Sequence, residues 1–538
     1  MLKKPKSFVI LSVAAFLISL ASGAFVSWLL LKKESLDFLP TGIELIPDKA
    51  VFVASVSTDS QQWQELQQLG NAEVQKSLQQ PLTQLQKSLD EIGIDFSTEI
   101  KPWLGKEVAI ANLGDFYIPQ TVFILPIEHL EEIQLFWNKF ESKIAKKATY
   151  QTIPIYSIST PNEQTYFISR LNKYAVVASD IKAIEKVIDT YQGDVSLLAL
   201  PGFKKAFNQI QGKQIFARFY FNFPATLDLI ARGATKASLT NFSEPTPQGI
   251  ATTVTLSQNQ LKLSNILWNK PTEKTEDSLK TLDKRMASYL PNNTRLVVAG
   301  GNAANFWDGF MKESQILPIM PIQPKQIQEL ITTTTGLEWE KDFLPWMKDN
   351  FSVALVPNVA TEKSILEGAL VLMVEVSDRT LANATLEKVH KVLENRYQFQ
   401  RKTTQASGKS VTNWRSPLGG VTATEGWISH DILFFTLGAP VTSSFFPQPQ
   451  ANLKQNLLFS QTLDTPQPSN SQLFLDLENL LKADSAKFLQ LSPQQQSWLN
   501  SIRSIGLTTT IPNAESRRID MIMQLKSMPN QTGKQLER

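Results

Sequence analysis

The three residue types of a hydrolytic triad occur consecutively in the sequence, as Ser429, His430 and Asp431. A serine nucleophile, a histidine base and an orienting carboxylate act through a relay of hydrogen bonds, which consecutive residues of one turn cannot form. A repeated copy of this turn, at residues 169–173, contains neither the histidine nor the aspartate. We therefore predict a surface hairpin here and no nucleophilic catalysis.

Metal, thiolate and phosphate chemistry have equally little support. No two of the three histidines, His129, His390 and His430, have a spacing that lets them converge on one ion. The chain has no cysteine, which excludes thiolate ligands, thiolate nucleophiles and disulfides. Gly408-Lys409-Ser410 resembles the end of a phosphate-binding loop, but Thr403 occupies the position that needs glycine, and a strand pattern follows. We predict no metal ligand, no cofactor and no catalytic residue.

Two pairs of carboxylates recur along the chain, Asp95 with Glu99 and Glu338 with Asp342. Their recurrence is compatible with a duplicated ligand site, and equally with acids near the positive end of a helix dipole. We favour the structural interpretation. An enzyme that uses dispersed carboxylates is retained as the last functional alternative.

A strand pattern at residues 216–223 carries phenylalanine at alternating positions. Phe219, Phe221 and Phe223 point to one face of such a strand, because successive side chains alternate between faces. Such a face belongs either to the core or to an apolar groove for a lipid, a pigment or an apolar peptide. We name these three residues as groove candidates.

The elements that would position these residues occur twice. Pro102-Trp103 returns as Pro345-Trp346, 243 residues later, and each pair is followed by a similar series of short apolar strands and one helix. We predict an α+β protein of two tandem modules, each with an antiparallel sheet and helices on one side. The modules are residues 43–268 and 290–526, joined by a linker or helix at 269–289 and followed by a disordered tail at 527–538.

Phe8 to Leu31 is a run of 24 residues without a charged side chain, long enough as a helix to cross a bilayer. We predict that residues 1–34 form a short cytoplasmic tail and a single membrane anchor, with the remaining chain on the far side. The small residues Ala21-Ser22-Gly23-Ala24 leave a cleaved signal peptide as the alternative.

The charge distribution excludes one class of partner. The formal charge is +3, but residues 1–33 hold five lysines and no acid, so the exported body is close to neutral. Such a body lacks the basic surface that dominates phosphate binding, and we predict no nucleic-acid partner.

Three motifs carry a resemblance to a known family: Ile46-Pro47-Asp48-Lys49-Ala50-Val51, Pro102-Trp103-Leu104-Gly105 and Leu200-Pro201-Gly202-Phe203. Together with the anchor, they resemble the uncharacterised cyanobacterial domain-of-unknown-function family 3352. The resemblance implies a plasma or thylakoid membrane, with the body in the periplasm or lumen. It implies no activity and no site residue.

These observations favour a non-enzymatic, membrane-tethered module that binds a protein of the envelope or thylakoid, through a sheet edge or a groove between modules. A carrier of an apolar ligand, lipid or pigment, is the first alternative, and an exported carboxylate-dependent enzyme is the second.

Overall fold

The computed structural model describes residues 38–526 except for 72, 77–78, 80–82, 84–85, 87–88, 91–93, 115–119, 142–145, 160–164, 227–246, 258, 270–279, 317–323, 359–366, 407, 418–421, 464–467, 483–492 and 514. The predicted anchor, Phe8 to Leu31, residues 270–279 of the predicted linker and the predicted tail lie outside these residues. Within them, no helix is both long enough and apolar enough to span a bilayer.

The described residues form an α+β fold with antiparallel strands, as predicted, but the strands make one large sheet and not a separate sheet in each module. Its strands in the first half are β1 (Phe52–Ser57), β2 (Glu107–Asn112), β3 (Thr121–Pro126), β4 (Lys146–Tyr150), β5 (Ile153–Ser159), β6 (Thr165–Leu171), β7 (Tyr174–Ala178), β8 (Ile215–Asn222), β9 (Pro247–Ser257) and β10 (Gln260–Asn269). Those in the second half are β11 (Leu296–Gly300), β12 (Phe351–Pro357), β13 (Gly368–Glu375), β14 (Gln400–Ala406), β15 (Lys409–Arg415), β16 (Thr422–Trp427), β17 (Ile432–Gly438), β18 (Ser471–Leu475), β19 (Ile502–Asn513) and β20 (Ser516–Leu525).

The helices lie in the connections between the strands. They are α1 (Ser60–Gln67), α2 (Leu130–Glu141), α3 (Ile181–Gln192), α4 (Phe203–Gln209), α5 (Ala303–Ile316), α6 (Pro324–Thr335), α7 (Arg379–Asn395), α8 (Leu457–Thr462), α9 (Leu477–Leu481) and α10 (Pro493–Asn500). A single π-helical turn precedes each Pro-Trp pair, at Phe96–Ile100 and at Trp339–Phe343.

The strand order is the same in both halves when each is followed from its outer edge to the middle of the sheet. The pairings give β4-β5-β6-β7-β3-β2-β1-β8-β9-β10 and then β20-β19-β18-β11-β12-β13-β17-β16-β15-β14. Each strand of the first half thus has a counterpart ten strands later in the chain. The sheet therefore has an approximate two-fold relation between its halves, centred where β10 meets β20.

The pairing of β10 with β20 is a seam that joins the halves through nine residue pairs, from Gln260 opposite Gln524 to Trp268 opposite Ser516. At its midpoint Ser264 faces Asp520, and the serine hydroxyl donates a hydrogen bond to this buried carboxylate. Arg518 also donates to Asp520, 2.7 Å from Nε to Oδ2, and to the backbone carbonyl of Gln209, at 2.8 Å. The strands of the two halves therefore form one continuous sheet.

The helices cover both faces of the sheet, so the prediction of helices on one side is wrong. We call the face that carries Ala109, Ile124 and Val176 the A face, where α3 and α4 pack in the first half. We call the opposite face, with Val108, Leu125 and Ala175, the B face, where α2 packs.

The reason lies in the strands β2, β3 and β7, which are apolar at consecutive positions and not at alternate ones. An alternating strand needs cover on one face only, whereas a continuous apolar run is buried on both. On the B face at the seam, a further cluster combines residues of both halves, among them Phe219 and Leu263 with Met521 and Met523.

Candidate functional site

The repeated Pro-Trp motif is part of the core in each half. Trp103 and Trp346 are each 2% exposed. Each indole N–H donates to a carbonyl of the preceding π-helical turn, Trp103 to Glu99 at 2.7 Å and Trp346 to Asp342 at 2.8 Å. Pro102 and Pro345 immediately precede these tryptophans, in the same turns. The motif thus fixes how the turn packs on the B face, and nothing in its geometry presents it to a ligand.

The paired carboxylates lie at the same π-helical turns and form hydrogen bonds and ion pairs. Glu99 accepts a hydrogen bond from the backbone N–H of Asp95, and Asp342 accepts one from that of Glu338, both at 2.9 Å. Each second carboxylate also forms an ion pair with a lysine, Lys139 on α2 or Lys388 on α7. Lys388 is the main reason that the pKa of Asp342 lies below its ordinary value. These contacts support the structural interpretation of the carboxylates.

Replacing Asp342 with asparagine is expected to lower the free energy of unfolding by about 1 kcal/mol, because the ion pair with Lys388 is lost and the acceptor for Glu338 is weakened. Urea unfolding of Asp342→Asn against the wild-type chain measures this. Lys388→Met is the matched variant, and the double variant should cost less than the sum of the two single changes. Additive costs would show that the two side chains do not interact.

The other sequence candidates are also accounted for by local contacts. Asp431 accepts hydrogen bonds from the Ser429 hydroxyl (2.6 Å) and from Arg285 (3.0 Å), and these contacts hold its pKa below the ordinary value. The carbonyl of His430 accepts from Arg379 at 2.8 Å. Gly408 lies in the turn between β14 and β15 with φ of 77°, a conformation that favours glycine. Among the described residues, no group of three potential ligand side chains could hold a metal ion.

The B face carries a row of partly buried apolar side chains in the same register in each half. Ile110, Phe123 and Val177 are cross-strand neighbours on β2, β3 and β7. The second half has Val353, Leu372 and Phe435 on β12, β13 and β17, with the same pairing and the same partial exposure. We call each row an apolar strip.

Backbone hydrogen bonds show that the two strips correspond. Trp103 O accepts from Glu128 N and Trp346 O accepts from Ser377 N, at 2.9 and 3.0 Å. These bonds tie each Pro-Trp turn to the chain just after β3 or β13. Phe123 and Leu372 each lie five residues before the donor, so they occupy equivalent positions in the two halves. The apolar strip is therefore a duplicated feature of the sheet.

In the second half the strip continues with leucines where the first half is polar. Leu355, Leu370 and Leu437 follow on β12, β13 and β17, and Leu370 and Leu437 are paired and are 52% and 46% exposed. Their counterparts are Asn112, Thr121 and Ser179. Since these two adjacent leucines leave about half of their surface in water, this extension is the feature of the described surface that most needs a ligand or partner to explain it. The sequence alone does not distinguish these leucines from buried ones.

The predicted groove residues lie on the same face, nearer the seam. Phe219 is 4% exposed and its ring stacks on Phe52, with ring centroids 6.2 Å apart. Phe221 and Phe223 are half-buried, and their rings meet edge to face at 5.4 Å. Phe219 is thus a core residue, whereas contact of Phe221 and Phe223 with a ligand stays a prediction.

A buried histidine–carboxylate pair is the polar feature that sequence reasoning missed. His390 on α7 and Glu425 on β16 are 4% and 7% exposed, and Nε2 lies 2.6 Å from Oε1. Trp414 packs beside the imidazole, with ring centroids 5.1 Å apart. Burial of the ring opposes its protonation, but the nearby Glu425 carboxylate outweighs it, and the pKa of His390 lies above its ordinary value. In the first half, Ile168 occupies the register position of Glu425, so this pair is not duplicated.

Comparisons with known proteins identify the family and little beyond it. No curated protein matches the chain. The solved structure of crystal form I of TP0453 aligns with 8% identity and a TM-score of 0.24, covering 43% of this chain and 80% of that chain. Crystal form III of TP0453 gives 12% identity and a TM-score of 0.22, covering 43% and 81%. A similarity this low supports no conclusion about fold or function.

The family model described as a protein of unknown function, DUF3352, matches residues 10–525, which is nearly the whole chain. The resemblance seen in the sequence motifs is therefore confirmed, and this chain belongs to the DUF3352 family.

Proposed function

We propose that this protein is a non-enzymatic binding module, anchored in a membrane through Phe8 to Leu31, that holds an apolar segment of a protein partner on its B face. The observation that supports this function is the leucine extension of the apolar strip. Leu370 and Leu437 lie side by side on adjacent strands at about half exposure.

The size of the strip suits a helix of the partner. Its three strands are about 10 Å across, since neighbouring strands lie about 4.8 Å apart, and a helix with its side chains is about 10 Å in diameter. Covering the exposed halves of Leu370 and Leu437 would contribute about 1 kcal/mol each, from the removal of apolar surface from water. A partner helix with leucines at positions i and i+4 would meet both side chains.

Other parts of the sheet suit a protein partner less well. The outer strand β14 is exposed along most of its length and carries Arg401 and Lys402, which disfavour pairing with another strand. The pairing of β10 with β20 joins the halves directly, so no gap separates their strands there. We therefore place the partner on the B face and not at an edge or between modules.

The paired carboxylates give the enzymatic alternative no support, because all four lie in the structural turns before the Pro-Trp motifs. The carrier alternative rests on Phe221 and Phe223, which are half-buried beside the first apolar strip. Mass spectrometry of the molecules that co-purify with the chain distinguishes a bound lipid or pigment from a bound protein.

Leu370→Glu combined with Leu437→Glu is expected to abolish recovery of a stoichiometric protein partner when the full-length chain is purified in mild detergent from its native membrane. Two carboxylates would have to be buried by the partner at a cost of several kcal/mol. Mass spectrometry of co-eluting proteins and lipids is the readout, against an anchor-only control.

Leu457→Glu is the matched control, because Leu457 is 67% exposed on α8 and lies outside the strip. It should leave the partner bound. Retention of the partner by the double variant, or its loss from the control as well, would contradict the assignment to the strip. Lipid or pigment in place of a protein would favour the carrier alternative.

A further inference from the structure

The first described residues are fixed to the A face of the sheet in the first half. Arg218 on β8 donates from Nε to the carbonyl of Phe38 at 3.2 Å, and Glu107 on β2 accepts from the backbone N–H of Thr41, also at 3.2 Å. Arg218 and Glu107 themselves form an ion pair. Leu39 and Ile43 are buried in the core with α3 and α4.

This attachment leaves a short tether. If the anchor ends at Leu31, six residues separate it from Phe38, and six residues span at most about 20 Å when fully extended. The membrane surface must then lie within that distance of Phe38. The sheet itself separates this point from the B face.

The α4 side of the A face also carries basic side chains that suit an anionic surface, whereas α3 on the same face has acidic and basic residues in equal number. Arg218 is paired with Thr253 on β9, whose hydroxyl donates to the carbonyl of Ile210 at the end of α4. The segment from Val195 to Leu227, which includes α4, carries Lys204, Lys205 and Lys213 and no acidic residue, and its one arginine, Arg218, is already paired with Glu107. Each lysine close to anionic headgroups adds attraction that decays within a Debye length.

From these contacts we infer that the A face of the first half, with α4 and its lysines, lies on the surface of an anionic bilayer, so that the B face of that half points away from the membrane. The inference rests on the membrane anchor of the proposed function. It adds the orientation of the body, which that function leaves open.

The absence of cysteine makes a direct test simple, since single labels can be introduced without removing any native thiol. Gln211→Cys places a donor dye next to the end of α4 on the A face, and Glu132→Cys places one on the exposed side of α2 on the B face. The full-length chain is reconstituted in vesicles of neutral and anionic phospholipid with an acceptor dye on the headgroups. We expect about twofold higher energy transfer from position 211, because the tether holds that side within roughly 20 Å of the surface.

Two further measurements make the outcome decisive. Insertion of a glycine–serine segment of about 12 residues between Asp37 and Phe38 leaves the fold unchanged and loosens the tether, so the difference between the two labels should shrink. Equal transfer from the two labels, higher transfer from position 132, or a difference that the insertion does not change would overturn the inference. Failure of the chain to float with the vesicles would instead refute the anchor, and with it the proposed function.

Discussion

Trp346→Ala is expected to lower the free energy of unfolding by about 3–5 kcal/mol, and Trp103→Ala by a similar amount, because each removes a large side chain that the surrounding core cannot replace. Both indoles are 2% exposed and both lose a hydrogen bond to the π-helical turn. Equilibrium unfolding in urea, followed by tryptophan fluorescence and circular dichroism, measures the two changes.

Phenylalanine at the same positions is the control that separates packing from hydrogen bonding. Trp103→Phe and Trp346→Phe keep most of the apolar volume, so each should cost clearly less than the alanine variant. A large cost at one tryptophan and a small cost at the other would show that the two motifs are not equivalent.

Glu425→Ala is expected to cost about 3–5 kcal/mol, because it leaves His390 buried without the carboxylate that faces it. The matched variant makes both positions apolar, with His390→Leu and Glu425→Ile together; isoleucine is the residue that the first half has at the position of Glu425. Replacing both partners of a buried pair with apolar residues is often neutral or stabilising. A double variant as unstable as Glu425→Ala would show that the pair is not the cause.

The same pair makes stability depend on pH. Because the pKa of His390 is raised in the folded chain, the folded state holds this proton to higher pH than the unfolded state, whose value is near 6.5. The stabilisation is complete below pH 6.5 and is lost as the pH rises through the folded pKa. Glu425, Glu387 and Arg401 are the charged groups that act on His390. We expect the stability of the wild-type chain relative to the double variant to fall across this range, and an unchanged difference would contradict the role of His390.

The sequence predicts where strands and helices form better than it predicts which strands pair with each other. The Pro-Trp repeat and the short apolar strands are visible as patterns because each depends on residues close together in the chain. The pairing of β10 with β20 is not visible in the sequence. Alternation of apolar and polar residues at 260–268 indicates a strand, but it does not indicate which strand lies beside it. Apolar runs such as residues 122–125 indicate burial on both faces, which a prediction of helices on one side leaves out.

The residues of the candidate site are also difficult to predict from the sequence, because their environment depends on tertiary packing. Leu370 and Leu437 are ordinary members of apolar strands in the sequence, and their exposure depends on which helices cover the B face. His390 and Glu425 are far apart in the chain and form no recognisable spacing. Phe219 fitted a groove by its alternation, and tertiary packing placed it in the core.

The seam between β10 and β20 has a consequence for the origin of the chain. Two equivalent strands pair antiparallel there, and Ser264 and Asp520, which face each other at its midpoint, occupy corresponding positions. A single-module ancestor that paired with itself through this strand would form a symmetric homodimer with the same sheet. Fusion of two such genes would give a chain with this sheet in one step and would leave each copy free to differ, as the polar row of Asn112, Thr121 and Ser179 differs from its leucine counterpart.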